Sequence, residues 1–258
     1  MMPLCPVRDC HLALVREERR LLCPRGHSFD EARSGYVNLL QPQERRSKKP
    51  GDTPAAVAAR RRLHDRGVTA PLFAAIAEMA AASPADIVLD AGCGDGFYLG
   101  TLAQQTGCAG VGIDISTTAV DAAARRYPGC QWMVANADRF VPFPESSFSM
   151  VLSITARMNA GEFRRVLHDG GRLLVAIPAP DDLIELRGAG ADRAPRTIAA
   201  FAQGFTPAGR RRVTTAADLD AAAVGDVLLS IYRPMRTQPA EAMHLTFSLD
   251  LLLFRACR

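Results

Sequence analysis

The chain has 258 residues, 48% of them hydrophobic and 22% charged, with a formal net charge of +4. That is enough to bury one α/β core and carry a small appendage; no apolar run reaches the roughly 18 residues that a bilayer-spanning helix needs, so a cytoplasmic protein with no membrane partner is expected. Seven cysteines, three of them in the first 23 residues, do not make a secreted disulfide framework.

Residues 1–40 hold Cys5, Cys10, Cys23 and His27 in the spacing C-x4-C-x12-C-x3-H, with short β-like pieces such as "GYVNLL". Such a segment is too short to build a good core unaided. One tetrahedral Zn²⁺ held by three thiolates and an imidazole would fasten it, and four protein ligands leave no open position, so the site reads as structural. His11, directly after Cys10, is a substitute ligand by position. Residues 41–82 read as a basic loop and linking helices. "QERRSKKPGD" carries Arg45, Arg46, Lys48 and Lys49 among Pro42, Pro50, Gly51 and Pro54, the composition of an ordered substrate loop or of a linker. Arg60, Arg61, Arg62 and Arg66 follow on a helical pattern broken at Gly67 and Pro71. Charge alone favours a solvated face for all of these cations, with a polyanion site as the alternative.

Residues 83–258 form the main domain. "IVLDAG", "AGVGIDIS", "QWMVANAD", "FSMVLSIT" and "GRLLVAIP" are short apolar runs, separated by helical stretches clearest at "STTAVDAAARRYP" and "AGEFRRVLHDG". Strands alternating with helices predict an α/β fold with a mostly parallel sheet. Beyond residue 179 only "LTFSLDLLLFRAC" reads clearly, as a last strand.

"VLDAGCGDGFYLGTL" places Gly92, Gly94 and Gly96 between a strand and a helix, where the missing Cβ atoms let the main chain approach a nucleotide-like ligand. Asp90 ends the first strand, and Asp114 ends the next, 24 residues on, where a carboxylate can accept from both ribose hydroxyls. Asp95 inside the loop would repel a pyrophosphate, so the loop suits a positively charged ligand. It resembles motif I of the class I S-adenosylmethionine-dependent methyltransferases. The resemblance implies a Rossmann-like, mostly parallel seven-stranded sheet, with cofactor contacts at Asp90, Gly92, Gly94, Gly96, Phe97, Tyr98, Asp114 and Ile115. It assigns Asn136, Ala137 and Asp138 to the adenine.

Zinc knuckle, basic loop and motif I in this order are similar to the bacterial guanine-N1 methyltransferases of large-subunit ribosomal RNA, macrolide-resistance relatives included. The likeness rests on "CPRGHSFD", "GYVNLL", "RRSKKPGD", "AARRRLHDRG", "VLDAGCGDGFY" and "LHDGGRLLVAIPAPDDLIEL". It implies methyl transfer to a ring nitrogen of a hairpin-loop guanine, a cleft between zinc module and catalytic domain, and phosphate contacts from Arg45, Arg46, Lys48 and Lys49. The sequence leaves a homodimer open. Two segments depart from that family: "SITARMNAGEF" has no aromatic or proline beside the transferred methyl, and "SIYRPMR" keeps only Tyr232 and Pro234 of a Met-Thr-Pro-aromatic stretch. The alternative is an enzyme on the same scaffold that uses S-adenosylmethionine on a small metabolite. Tyr36, Phe97, Tyr98 and Tyr232 are candidate platforms for a base; Asp138, Arg157 and Asn159 fall near the expected methyl position, with no catalytic base assigned.

Overall fold

Each apolar run becomes a strand of one mixed sheet in the computed structural model, which describes residues 1–44, 50–231 and 240–257. The first strands are β1 (Val15–Glu17), β2 (Arg20–Leu22) and β3 (Ser28–Asp30), an antiparallel ribbon, followed by β4 (Val37–Asn38). Then come α1 (Pro54–Asp65), α2 (Ala70–Ala80), β5 (Ile87–Ala91), α3 (Phe97–Thr106), β6 (Ala109–Asp114), α4 (Thr117–Arg126) and β7 (Gln131–Val134). The chain continues through β8 (Phe148–Ile154), α5 (Ala160–Val166), β9 (Leu167–Pro178), α6 (Ile184–Arg187), α7 (Ala194–Phe201), β10 (Phe205–Leu219), α8 (Ala221–Ser230) and β11 (Met243–Ala256).

The strand order is β10-β11-β9-β8-β5-β6-β7-β4, with β11 antiparallel to both neighbours and the other pairings parallel. The expected seven strands become eight among the described residues, because Val37 and Asn38 pair with Met133 and Val134 at the edge. The first forty residues are also tied to the main core. Leu14 and Leu21 join the same buried cluster as Val141 and Phe143, and the Leu4 N–H donates to the Pro142 carbonyl at 2.9 Å.

Alternation along the strands fills two layers. Leu89, Val111 and Val151 face Phe163 of α5 and Phe201 of α7, whereas Val88, Met150 and Leu152 face Phe73 and Ile76 of α2, Leu99 of α3 and Val120 of α4. A third cluster joins Leu63 of α1, Val224 and Val227 of α8, Leu183, Leu219 and Leu245. It lies at the carboxyl end of the sheet, where β10 and β11 overhang: β11 pairs with β9 only from Leu249 onward, while Met243 to Ser248 pair with β10 alone. The overhang supplies one wall of a cleft at the end where open α/β sheets bind ligands. Among the described residues, no helix is long and apolar enough to cross a membrane.

Candidate active site and metal centre

β5 and β6 end side by side, bringing two acids together. Asp90 is 1% exposed, and its Oδ1 has no hydrogen-bond partner among the described residues. Burial raises its carboxyl to about 8, and the like charge of Asp114 adds to the shift. Asp114 accepts from the Gly94 N–H at 3.0 Å and, through its other oxygen, from the Ser116 N–H at 2.8 Å. Burial raises its pKa also. The unpaired oxygen of buried Asp90, beside half-buried Asp114, suits a cationic ligand, and each Asp114 oxygen retains capacity for a hydroxyl donor.

The loop glycines answer to different neighbours. A Cβ on Gly92 (φ 90°) would stand 2.4 Å from that of Ala156, and one on Gly96 (φ 76°) would stand 2.6 Å from the Trp132 ring. Both make room for protein rather than ligand. Gly94 (φ 54°), on the cleft wall, would place its Cβ in ordinary contact, 3.5 Å, with the Arg60 guanidinium. Asp95 lines the cleft but is 2% exposed, and its carboxylate lies 3.2 Å from Nε of Arg61, which offsets its charge. The solvated-face reading holds for Arg62 and Arg66, which are exposed, while Arg60 and Arg61 are partly buried. Arg60 pairs with Asp52 at 2.5 Å, and the exposed Arg62 and Arg66 make surface pairs with Asp226 at 2.5 Å and Asp220 at 3.1 Å.

These groups open onto a cleft of about 1730 Å³. Asp90, Gly92, Gly94, Tyr98, Asp114, Ile115, Asn136, Ala137 and Asp138 all line it. Gly96 and Phe97 do not; the Phe97 ring stacks on His64 at 3.9 Å. Arg45, Arg46, Lys48 and Lys49 lie outside the described residues, although Gln43 and Glu44 before them and Pro50 and Gly51 after them line the cleft. Tyr232 and Pro234 lie outside the described residues as well. Tyr36 is not on the cleft wall.

The far half is walled by Thr155 to Met158 after β8, Pro178 at the end of β9 and Asp182 beyond it, Arg193 at the start of α7 and Arg196 within it, and Phe247 of the overhang. Asp138 pairs with Arg157 at 3.2 Å, and Asn159 donates to the Asp138 carbonyl at 3.0 Å while capping α5. Phe247 escapes the sequence reading; the signal for it is the strand alternation of Phe247 and Leu249, both of which face the cleft.

At the other end, the ligand atoms of Cys5, Cys10, Cys23 and His27 all lie within 4.8 Å of one another. Sγ of Cys5 is 3.3 Å from Nδ1 of His27, and the sulfurs of Cys10 and Cys23 are 3.4 Å apart. Zn–S bonds of about 2.3 Å put tetrahedral sulfurs roughly 3.8 Å apart, so the donor set and its spacing fit zinc. His11 is elsewhere, its ring stacked on Phe140 at 4.2 Å.

Residues 88–175 match the family described as "Methyltransferase domain", and residues 4–48 match the zinc-ribbon family described as "RlmA, N-terminal". The chain is 37% identical over 235 residues to the 23S rRNA (guanine(748)-N(1))-methyltransferase of Streptomyces fradiae, covering 87% of this chain and 82% of that one. A relative from Micromonospora griseorubida is 36% identical over 202 residues, 70% of this chain and 67% of its own. Among solved structures, a chain in the complex of the Haloferax volcanii Trm112 methyltransferase activator superposes with a TM-score of 0.55 at 21% identity, covering 81% of this chain and 99% of that one, a likeness of fold.

Proposed function

The chain belongs to the family of 23S rRNA guanine-N1 methyltransferases, and on that footing we propose that it transfers a methyl group from S-adenosylmethionine to N1 of a guanine in a hairpin loop of large-subunit ribosomal RNA. As a member of that family it is an S-adenosylmethionine-dependent methyltransferase with a structural zinc module.

The observation that carries the reading is the size and two-part lining of the cleft. At about 1730 Å³ it exceeds the roughly 300–1,000 Å³ of a small-ligand pocket. One half offers buried acids, the other arginines. In this reading Asp90 receives the ammonium of the donor, Asp114 takes the ribose and Asn136 to Asp138 flank the adenine. When bound, S-adenosylmethionine supplies a methyl already made electrophilic by the sulfonium, so the residues of this chain contribute alignment, exclusion of water and a place for the N1 proton. Arg193 just before α7 and Arg196 on it, together with Arg45, Arg46, Lys48 and Lys49, supply positive charge for phosphates. A homodimer is carried as an expectation to be read by sedimentation.

The test follows a labelled methyl group from S-adenosylmethionine into 23S rRNA lacking its native modification. Incorporation at N1 of one loop guanine is the expected result; active turnover of the donor on small molecules with none into RNA would overturn the reading in favour of a metabolite enzyme. Replacing Arg45, Arg46, Lys48 and Lys49 together by alanine is expected to reduce the salt dependence of RNA binding by roughly three to four in log–log slope.

Cofactor binding should also move a proton. With its carboxyl raised to about 8, Asp90 holds a proton at pH 7, and an arriving ammonium favours the ionised form. Affinity for S-adenosylhomocysteine, which keeps that ammonium, is therefore expected to climb with pH up to about 8 and then level. Calorimetry at pH 7 in two buffers of different ionisation enthalpy should show net proton release, and equal heats in both would remove Asp90 from this role.

A further inference from the structure

A side pocket of about 190 Å³ opens at the carboxyl end of β9, lined by Pro178, Pro180, Asp182, Arg187, Ala191 and Arg193 among others. Pro178, Asp182, Arg187, Ala191 and Arg193 belong to the wall of the large cleft as well, so the two spaces adjoin. It is too small for the donor and of a size with one heterocycle. β9 lies next to β8, which lies next to β5, so the pocket follows the donor's half of the cleft across the sheet.

The turn that holds Asp182 is fixed in an unfavourable conformation. Leu183, a bulky residue that is 5% exposed, has φ 51° and is held there by its N–H donating to the Thr246 carbonyl at 2.7 Å. Thr155, β-branched and at the end of the neighbouring strand β8, has φ 50°. Such outliers cluster at functional sites, where surrounding structure over-determines them.

We propose, resting on the rRNA guanine reading above, that this side pocket receives the acceptor guanine and that Asp182 is the group that takes its N1 proton. The Asp182 carboxylate is 11% exposed; it accepts from the Ser248 N–H at 3.1 Å and from Arg187 at 3.4 Å, and its remaining acceptor positions are available to the N1–H and N2–H edge of a guanine. Arg187 and Arg193 supply donors for the O6 and N7 edge, the pairing guanine makes best with arginine. Arg193 has no ion-pair partner among the described residues. Pro178 and Pro180 offer apolar faces to the ring. In the step, the N1–H bond breaks with its proton going to Asp182, the nitrogen's electron pair forms the bond to the methyl carbon, and the carbon–sulfur bond breaks with its pair returning to sulfur. Negative charge developing on O6 meets the arginines.

The charged groups facing Asp182 are Arg187, Arg193 and Asp181; burial outweighs the two cations and raises its pKa, moving the carboxylate toward the working range of a general base. Asp138, the other acid on this side, is more exposed and paired with Arg157.

The experiment measures single-turnover methyl transfer to the rRNA hairpin between pH 5 and pH 9 for wild type, Asp182→Asn and Asp138→Asn, with S-adenosylhomocysteine affinity as the check on folding. Wild type should rise through the elevated carboxylate pKa and level off. Asp182→Asn should lose about 100-fold near neutrality, climb log-linearly toward the ionisation of N1 itself, and keep its cofactor affinity. A wild-type profile in Asp182→Asn, or the lost plateau in Asp138→Asn instead, would overturn the assignment while leaving the rRNA reading intact; wild type inert on RNA would overturn both.

Discussion

Chelating zinc is expected to unfold the first forty residues while S-adenosylhomocysteine still binds. β1, β2 and β3 are three residues each, and β1 is exposed throughout, so hydrogen bonds and burial within the ribbon supply little. Structural zinc contributes about 10–16 kcal/mol to folding in small modules, far beyond what Leu14 and Leu21 gain by packing against Val141 and Phe143. Loss of the metal should therefore release amide protection through residues 1–40 and weaken the edge pairing of β4 on β7. Asp90, Asp114 and the glycine loop are held by β5, β6 and α3, none of which draws a hydrogen bond from the ribbon, so cofactor affinity should change only a few-fold. Transfer to RNA should fall much further. Metal content separates the candidate ligands: His27→Ala or Cys23→Ser should purify without zinc, whereas His11→Ala should retain it, because the His11 ring stacks on Phe140. Metal lost with His11 and kept without His27 would overturn the ligand set.

Different parts of this structure are written in the sequence at different ranges. The five apolar runs and the glycine loop are legible because a strand's burial and a strand-to-helix turn depend on neighbours within a few residues. The zinc cluster is legible because ligand spacing is itself local. Three of the α1-region arginine pairings are not: Arg61, Arg62 and Arg66 find Asp95, Asp226 and Asp220, and nothing near Arg62 announces an acid 164 residues away. The strand β10 hides for another reason. "TPAGRRRVTTAAD" is polar and mostly exposed because it borders the sheet and packs on one neighbour, so it lacks the apolar content by which a strand is recognised. Its three arginines lie on that edge, where Arg210 and Arg212 both reach Asp250 on β11. Asp182 reads in sequence as one acid of a turn, and its value as a site comes from the fold, which sets it between two spaces. Phe247 likewise becomes a cleft residue only because β11 overhangs the sheet.

The largest loss of cofactor affinity is expected from Asp114→Ala, because this side chain does two things at once. Its carboxylate holds the Gly94 and Ser116 amides, fixing the loop against the start of α4, and it is the acid placed for the ribose hydroxyls. Hydrogen bonds to a charged group are worth about 1.5–3 kcal/mol each. Losing two from the ribose removes roughly 3–6 kcal/mol, a fall in affinity of about 140-fold to 20,000-fold. Loosening of Gly94 adds to it. Asp114→Asn separates the two contributions: an amide oxygen can still accept from one of the backbone N–H groups, so the loop keeps part of its anchor while the charge for the ribose is gone. Its affinity should fall between wild type and Asp114→Ala. Removing a buried charge near Asp90 should at the same time lower the Asp90 pKa below about 8, since the like charge of Asp114 contributes to that value. The pH at which cofactor affinity levels should then move down in both variants. Full affinity in Asp114→Ala would remove this residue from the cofactor site, and an unmoved pH profile would show that the two acids do not interact.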